Sequence, residues 1–305
     1  MFARPLTRAT TLGVIAIALS FVAPSLAEEL VVRHAQGETT VPKNPAKVVT
    51  FDIATLDTLD ALGVEVYGLP GTNLPAYLGK YADEKYEKLG SLFEPDYEAV
   101  AAAAPDLIIV AARSSTAFAE LSKIAPTIDL SNSWTDFENS VKANSRILGE
   151  IFDKSAEIDA MIGELDGKVA AVKAKAAEAG TGLIVLTSGS EITAYGAGSR
   201  FGWIHESLGV VPAIADVEAA THGDAVSFEF LLEANPDWLY VIDRDAATAE
   251  GAAAAILDNE LVAQTTAWKN GNVVYIDPVR SYIVNGGLPA FTALVDQVGA
   301  ALGVE

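Results

Sequence analysis

The chain has 305 residues, 41 Asp and Glu against 20 Lys and Arg, a formal net charge of −21, and no cysteine. A surface this acidic repels nucleic acid and anionic membranes, and the lack of thiols removes both a disulfide framework and thiolate metal sites. An anionic ligand therefore has to be met by a local basic pocket, because the overall field drives it away.

Residues 1–27 pass from basic (Arg4, Arg8) through apolar (Thr11 to Val22) to small residues at Ser25-Leu26-Ala27. That is the order of a secretion signal, and cleavage is expected after Ala27. The apolar run is shorter than the roughly 20 residues that a spanning helix needs, and no cysteine follows to carry a lipid anchor. No other apolar stretch is long enough to span. The mature chain from Glu28 is expected free in the periplasm of a Gram-negative cell, with length for two domains.

Glu29 to Val41 reads as an added hairpin. Beyond it, strands are expected at Val48 to Phe51, Val64 to Gly68, Leu107 to Val110, Leu183 to Thr187, Trp238 to Ile242 and Val273 to Ile276. They alternate with helical patterns, the signature of α/β units with mostly parallel strands. The chain also repeats itself. Asp96-Tyr97-Glu98-Ala99-Val100 leading to Pro105-Asp106-Leu107-Ile108-Ile109-Val110 resembles Ser227-Phe228-Glu229-Phe230-Leu231 leading to Pro236-Asp237-Trp238-Leu239-Tyr240-Val241, at a constant offset of 131 residues. The same offset carries Arg113 onto Arg244, so each half places an arginine just past an equivalent strand.

Between the copies, a helix is expected from Phe137 to about Ala179, opened by a capping box of Thr135 and Glu138. Its residues Ile158, Met161, Ile162, Leu165, Val169 and Val172 are spaced for one buried face, with Gly163 and Gly167 as possible kinks. The expected division is an N-terminal lobe (28–136), a connecting helix (137–180) and a C-terminal lobe (181–305), with the ligand in the cleft between lobes.

Ligands of open parallel sheets sit beyond the carboxyl ends of the strands. Arg113 and Arg244 fall there from opposite lobes, and Arg200 falls in the Gly-rich segment Tyr195-Gly196-Ala197-Gly198-Ser199-Arg200-Phe201-Gly202. Three guanidinium groups suit an anionic, oxygen-rich ligand. His222, in Thr221-His222-Gly223-Asp224, and Tyr282, in Ser281-Tyr282-Ile283-Val284-Asn285-Gly286-Gly287, add an imidazole and a phenol, both competent ligands for ferric iron. His34 and His205 have no comparable company. No HExxH, CxxC or calcium-loop pattern is present, which disfavours tight binding of bare zinc or calcium. Neither a hydrolase elbow around Ser188-Gly189-Ser190 nor a dinucleotide or phosphate loop is complete, so catalysis is not expected.

From Val41-Pro42-Lys43-Asn44-Pro45-Ala46-Lys47-Val48-Val49 to the Tyr282 loop, the chain resembles the periplasmic binding proteins of iron-siderophore ABC importers, in the branch that binds ferric catecholates. The resemblance implies a class III fold: two Rossmann-like lobes with mostly parallel sheets joined by a long interdomain helix. It also implies a monomer with no permanent cofactor, whose Fe(III)-siderophore is the transported ligand. Arg113, Arg200 and Arg244 would bind catecholate oxygens. His222 and Tyr282 would fill the two open positions of iron held by a tetradentate siderophore, and Glu98 and Glu229 would dock onto the inner-membrane permease. Haem or cobalamin binding by the same scaffold, or a periplasmic enzyme, are the alternatives.

Overall fold

The computed structural model describes Met1 and residues 28–72, 74–215, 217 and 223–304. The expected secretion signal and His222 lie outside the described residues. Strands β1 (Glu29–His34) and β2 (Gly37–Pro42) form the antiparallel hairpin expected at the start. Strands β3 (Val48–Thr50), β4 (Gly68–Leu69), β5 (Glu87–Lys88), β6 (Leu107–Val110) and β7 (Thr127–Asp129) form one all-parallel sheet in the order β5-β4-β3-β6-β7. The second sheet contains β8 (Thr181–Ser188), β9 (Glu191–Tyr195), β10 (Val211–Pro212), β11 (Asp224–Val226), β12 (Trp238–Asp243) and β13 (Val273–Ile276). Its order is β11-β9-β8-β12-β13, with β10 added beside the start of β8. Ladders β8/β12 and β12/β13 are parallel, whereas β9 runs antiparallel between β8 and β11.

The central strands β3, β6, β8 and β12 are buried on both faces, which explains their near-continuous apolar runs. Val49, Ile108 and Val110 face one core while Val48, Leu107 and Ile109 face another. Leu183, Val185, Leu239 and Val241 likewise turn away from Ile184, Leu186, Tyr240 and Ile242.

The sequence repeat is a structural repeat. Asp96 caps helix Tyr97–Ala103 by accepting from the Ala99 amide (3.0 Å), and Ser227 caps helix Phe228–Ala234 by accepting from the Phe230 amide (3.3 Å). Each helix ends on a left-handed residue, Ala104 (φ 46°) or Asn235 (φ 38°). The Pro-Asp turn follows. Asp106 Oδ2 accepts from the Lys47 amide (2.7 Å), and Asp237 Oδ2 accepts from the Thr181 amide (2.8 Å). Each carboxylate thereby grips the start of the neighbouring central strand and sets the registers Val48↔Leu107 and Gly182↔Trp238.

The stretch expected as one helix is two, Phe137–Ile151 and Ser155–Ala176. The chain breaks at Asp153, whose φ is 54°, and doubles back so tightly that a Cβ on Gly149 would lie 3.1 Å from Ile158 and from Ser155. Arg146 pairs with Asp159 (3.6 Å) and Lys142 pairs with Asp166 across the two antiparallel helices. Gly163 and Gly167 sit inside the second helix without interrupting it. The Thr135–Glu138 capping box does not form, because Glu138 pairs with Lys142 and the Thr135 hydroxyl bonds Ser133. The buried face is as expected: Ile158, Ile162, Leu165, Val169 and Val172 are buried and Met161 is half-buried. They share a core with Phe291, Leu294, Val295 and Val298 of the C-terminal helix Leu288–Ala301.

That C-terminal helix starts in the grip of the first lobe. Asp57 Oδ2 accepts from the Ala290 amide (3.0 Å) and Thr58 Oγ1 from the Leu288 amide (3.1 Å), while the Tyr77 hydroxyl donates to Asp57 Oδ1 (2.7 Å). Gly287 passes so close to Asp57 that a Cβ there would strike the carboxylate. Burial pushes the Asp57 carboxyl up to about 6, against the opposing pull of Tyr77, the Ala290 amide and the Arg280 charge.

Two predictions follow from these contacts. Ala104 occupies a conformation that costs a non-glycine residue about 1–2 kcal/mol, so Ala104→Gly should raise the urea midpoint by about 0.5–1 kcal/mol in stability. Asn235→Ala should lower it. The folded-state value of Asp57 lies above the ordinary aspartate value of 3.8, so its contribution is complete below that value and is lost as pH rises through about 6. The stability of the wild type relative to Asp57→Asn should therefore increase, by about 2–3 kcal/mol at most, as pH falls from about 7 to 4. A difference that is flat with pH would refute the assignment.

Candidate functional site

The strand order reverses between β3 and β6 in one sheet and between β8 and β12 in the other, which makes the carboxyl ends of these strands the expected ligand positions. Arg113 follows β6 in a turn pinned on both sides. The Ser114 hydroxyl donates to the Phe51 carbonyl (3.1 Å), and the Ala112 amide donates to Ser131 Oγ (2.7 Å). Arg244 directly follows β12 and opens a short helix, Arg244–Thr248, capped by Asp243 through the Ala246 amide (3.0 Å). Arg200 lies beyond β9, a strand that the sequence reading lacked. Its loop closes on itself through the Ser199 hydroxyl and the Gly196 carbonyl (2.5 Å), and a Cβ on Gly202 would sit 2.9 Å from that carbonyl oxygen.

Tyr282 comes from a π-helical turn, Val279–Val284, closed by the Asn285 amide donating to the Arg280 carbonyl (2.8 Å). Asn285 itself is left-handed, at φ 48°. Pro278 starts this turn, and Ile283 and Val284 anchor it in the core of the first lobe.

All three arginines converge on Tyr282. Arg113 Nη2 and Arg200 Nη2 both donate to its carbonyl oxygen, at 2.6 and 2.7 Å, and Arg113 Nη1 also donates to the Ile283 carbonyl (3.3 Å). Arg244 Nε donates to the phenol oxygen (3.0 Å) and its Nη1 to Ser188 Oγ at the end of β8 (2.7 Å). The guanidinium carbons lie 5.6 Å (Arg113), 4.4 Å (Arg200) and 5.8 Å (Arg244) from the centroid of the Tyr282 ring, a range in which cation–π attraction operates. Arg113 and Arg200 are half-buried and Arg244 is exposed.

The electrostatics follow from this crowding. Burial lowers the Arg113 pKa, and burial followed by the Arg113 charge pushes Arg200 down to about 10. Burial alone would raise the Tyr282 phenol, but the Arg244 hydrogen bond and the charges of Arg200, Arg244 and Arg113 overcome it and hold the group below the usual tyrosine value. Burial raises Tyr240, and burial with a neighbouring carboxylate raises Tyr77 and Tyr81. The site thus offers clustered positive charge beside a phenol that gives up its proton early, a combination suited to an anion and to a hard trivalent cation.

Ser188 and Asn285 also belong to the site, and sequence reasoning missed both as site residues. The signals were present: Ser188 ends a central strand, and Asn285 precedes Gly286-Gly287, a context that favours a left-handed turn. Of the remaining expected residues, Glu98 and Glu229 occupy the exposed first turns of the two equivalent helices, apart from the hydrogen bonds that build the arginine cluster among the described residues. Glu229 is held below the usual carboxylate value by its own backbone amide and by Ser227. His34 bonds Thr39 Oγ1 (2.9 Å) and His205 bonds the Val210 carbonyl (2.8 Å), both distant in role from the cluster. Gly223, next to the undescribed His222, lies against the Ala194 carbonyl and the Tyr195 ring.

In a spectrophotometric titration, the first tyrosinate to form should be lost in Tyr282→Phe, and Arg244→Gln should delay it. Survival of the earliest transition in Tyr282→Phe would overturn this ordering.

A family model for periplasmic binding proteins matches residues 48–279. The petrobactin-binding protein YclQ of Bacillus subtilis is 42% identical over 277 residues, covering 89% of this chain and 87% of its own. Its crystal structure covers 91% of this chain and 100% of its own, with a TM-score of 0.88. The ferric-anguibactin-binding protein FatB of Vibrio anguillarum is 34% identical over 291 residues, covering 92% of this chain and 90% of its own. The periplasmic catecholate-siderophore binding protein VctP of Vibrio cholerae is 33% identical and covers 91% of this chain and 100% of its own, with a TM-score of 0.84. The chain belongs to the periplasmic binding protein family and has its class III fold.

Proposed function

We propose that this chain is an exported binding protein that captures a ferric siderophore of the catecholate class between its lobes and presents it to an inner-membrane ABC permease. The observation that carries the reading is the meeting of Arg113, from one lobe, with Arg200 and Arg244, from the other, around one phenol. A ferric catecholate complex is anionic and rich in oxygen acceptors, so guanidinium groups recognise it through charge-assisted hydrogen bonds. The relatives' names specify petrobactin, ferric anguibactin and a catecholate siderophore, which favours a siderophore over haem or cobalamin.

In this reading the three arginines hold the catecholate oxygens. Tyr282 and His222 supply a phenolate oxygen and an imidazole nitrogen to iron that a tetradentate siderophore leaves two positions short of octahedral. A hexadentate siderophore saturates the metal and depends on the arginines alone. Glu98 and Glu229 present one carboxylate per lobe at matching exposed positions, which supports their use as paired docking points for a basic permease surface.

Fluorescence-quenching titration with ferric petrobactin should give saturable binding, weakened in Arg244→Ala by about 10–100-fold as charge-assisted hydrogen bonds worth about 1.5–3 kcal/mol are lost. Tyr282→Phe and His222→Ala should weaken tetradentate ferric catecholates much more than hexadentate ones, and equal effects would remove both residues from the coordination role. The double variant Glu98→Ala with Glu229→Ala should leave affinity intact and abolish uptake of iron by cells. A fall in affinity would instead place these residues in the ligand site.

A further inference from the structure

Six arginines fall among the described residues. Arg33, Arg146 and Arg280 each pair with a carboxylate, at 2.6, 3.6 and 2.5 Å. Arg113, Arg200 and Arg244 do not, among the described residues, although the chain carries 41 acidic side chains. Among the described residues their hydrogen-bond partners are neutral: the carbonyls of Tyr282 and Ile283, the Tyr282 phenol and the Ser188 hydroxyl. Asn285 completes the set. With its amide turned to satisfy both neighbours, its oxygen accepts from Arg200 Nε (3.1 Å) and its nitrogen donates to the Ser281 carbonyl (3.2 Å).

Three carboxylates, the sequence neighbours Asp243 and Asp245 of Arg244 and the Asp52 that acts on Arg113, are engaged elsewhere. Asp243 accepts from the Ala246, Ala252 and Ala253 amides, and Asp245 accepts from the Gly189 amide. Asp52 accepts from the Thr55 amide and hydroxyl, and acts on Arg113 only through space.

We propose that Asn285 is a specificity-determining positioning residue: it orients Arg200 with a neutral oxygen, so that the cluster keeps its full positive charge for an anionic ligand. The inference rests on the anionic-ligand reading above but makes a separate claim. At φ 48° the backbone of residue 285 admits Asn, Asp or Gly, so the turn alone does not select asparagine over aspartate. An aspartate would offer Arg200 the same oxygen together with a counter-charge, and would thereby quench the site from within. Arg113 and Arg200 share one acceptor atom, and the charge they withhold from any internal carboxylate is the charge an incoming anion can neutralise.

Asn285→Asp and Asn285→Gly separate this role from a purely structural one. Ferric petrobactin should bind Asn285→Asp about tenfold or more weakly than Asn285→Gly, because only the first inserts a competing charge. In the ligand-free protein, the urea midpoint of Asn285→Asp relative to wild type should fall as sodium chloride rises, because salt screens an attraction in the variant and a repulsion in the wild type. The same comparison for Asn285→Gly should be flat with salt. Equal affinities of the two variants, or an Asn285→Asp difference that does not change with salt, would overturn the proposal. Failure of the wild type to bind ferric petrobactin would count against the function proposed above, and the salt comparison would still decide the role of Asn285.

Discussion

The architecture depends on two carboxylates that each hold a backbone amide at the start of a neighbouring strand. Asp106 does this for β3 through Lys47, and Asp237 does it for β8 through Thr181. Because strand pairing has a period of two, a slip by one residue would turn every side chain to the opposite face. It would also move the residue at the strand's far end by about 3.3 Å. With registers set at their starts, β6 and β12 deliver Arg113 and Arg244 at equivalent positions of the repeat. The internal repeat is therefore a duplicated device for delivering a charged group to a cleft, as well as a duplicated fold.

The site itself runs against the charge of the molecule. In a chain of net charge −21, three guanidinium groups meet around one residue and are satisfied by carbonyl, hydroxyl and phenol oxygens. Such a cluster is costly to assemble, since burial and mutual repulsion both disfavour it, as the lowered Arg200 pKa records. It persists because the segment carrying Tyr282 is over-determined: Ile283 and Val284 are held in one core, and Gly286 and Gly287 are wedged between Asn132 and Asp57. Groups whose pKa is perturbed by burial and by neighbouring charge cluster at functional sites.

Much of this was legible from the residues, because apolar alternation, the Pro-Asp turns and the constant offset are local signals. Strands β6 and β13 were expected at their observed limits, and the buried face of helix Ser155–Ala176 was read from its spacing. The placement of Arg113 and Arg244 beyond equivalent strands was legible because the repeat relates the two. The failures have physical causes. Strand β9 escaped because its residues Glu191-Ile192-Thr193-Ala194-Tyr195 give only a weak apolar pattern, and its place is set by pairing with β8. The helix break at Asp153 escaped because a left-handed aspartate has no compositional marker, and the close packing of Gly149 on Ile158 that accompanies it is tertiary. Asn285 and Ser188 were passed over because a neutral side chain becomes significant only once its charged partner is known.

The crossing at residues 279–290 has a consequence for how such proteins can be recombined. The first lobe is not the contiguous stretch that ends where the helical connector begins. Its core includes Ile283, Val284 and Ala290, and its Asp57 and Thr58 cap a helix whose far end packs on the other lobe. A chimaera that joined residues 28–136 of one relative to the remainder of another would cut through that shared core and separate cap from helix. An exchange that preserves the molecule has to move two separate pieces of chain together, so the unit of inheritance in space differs from the unit in sequence.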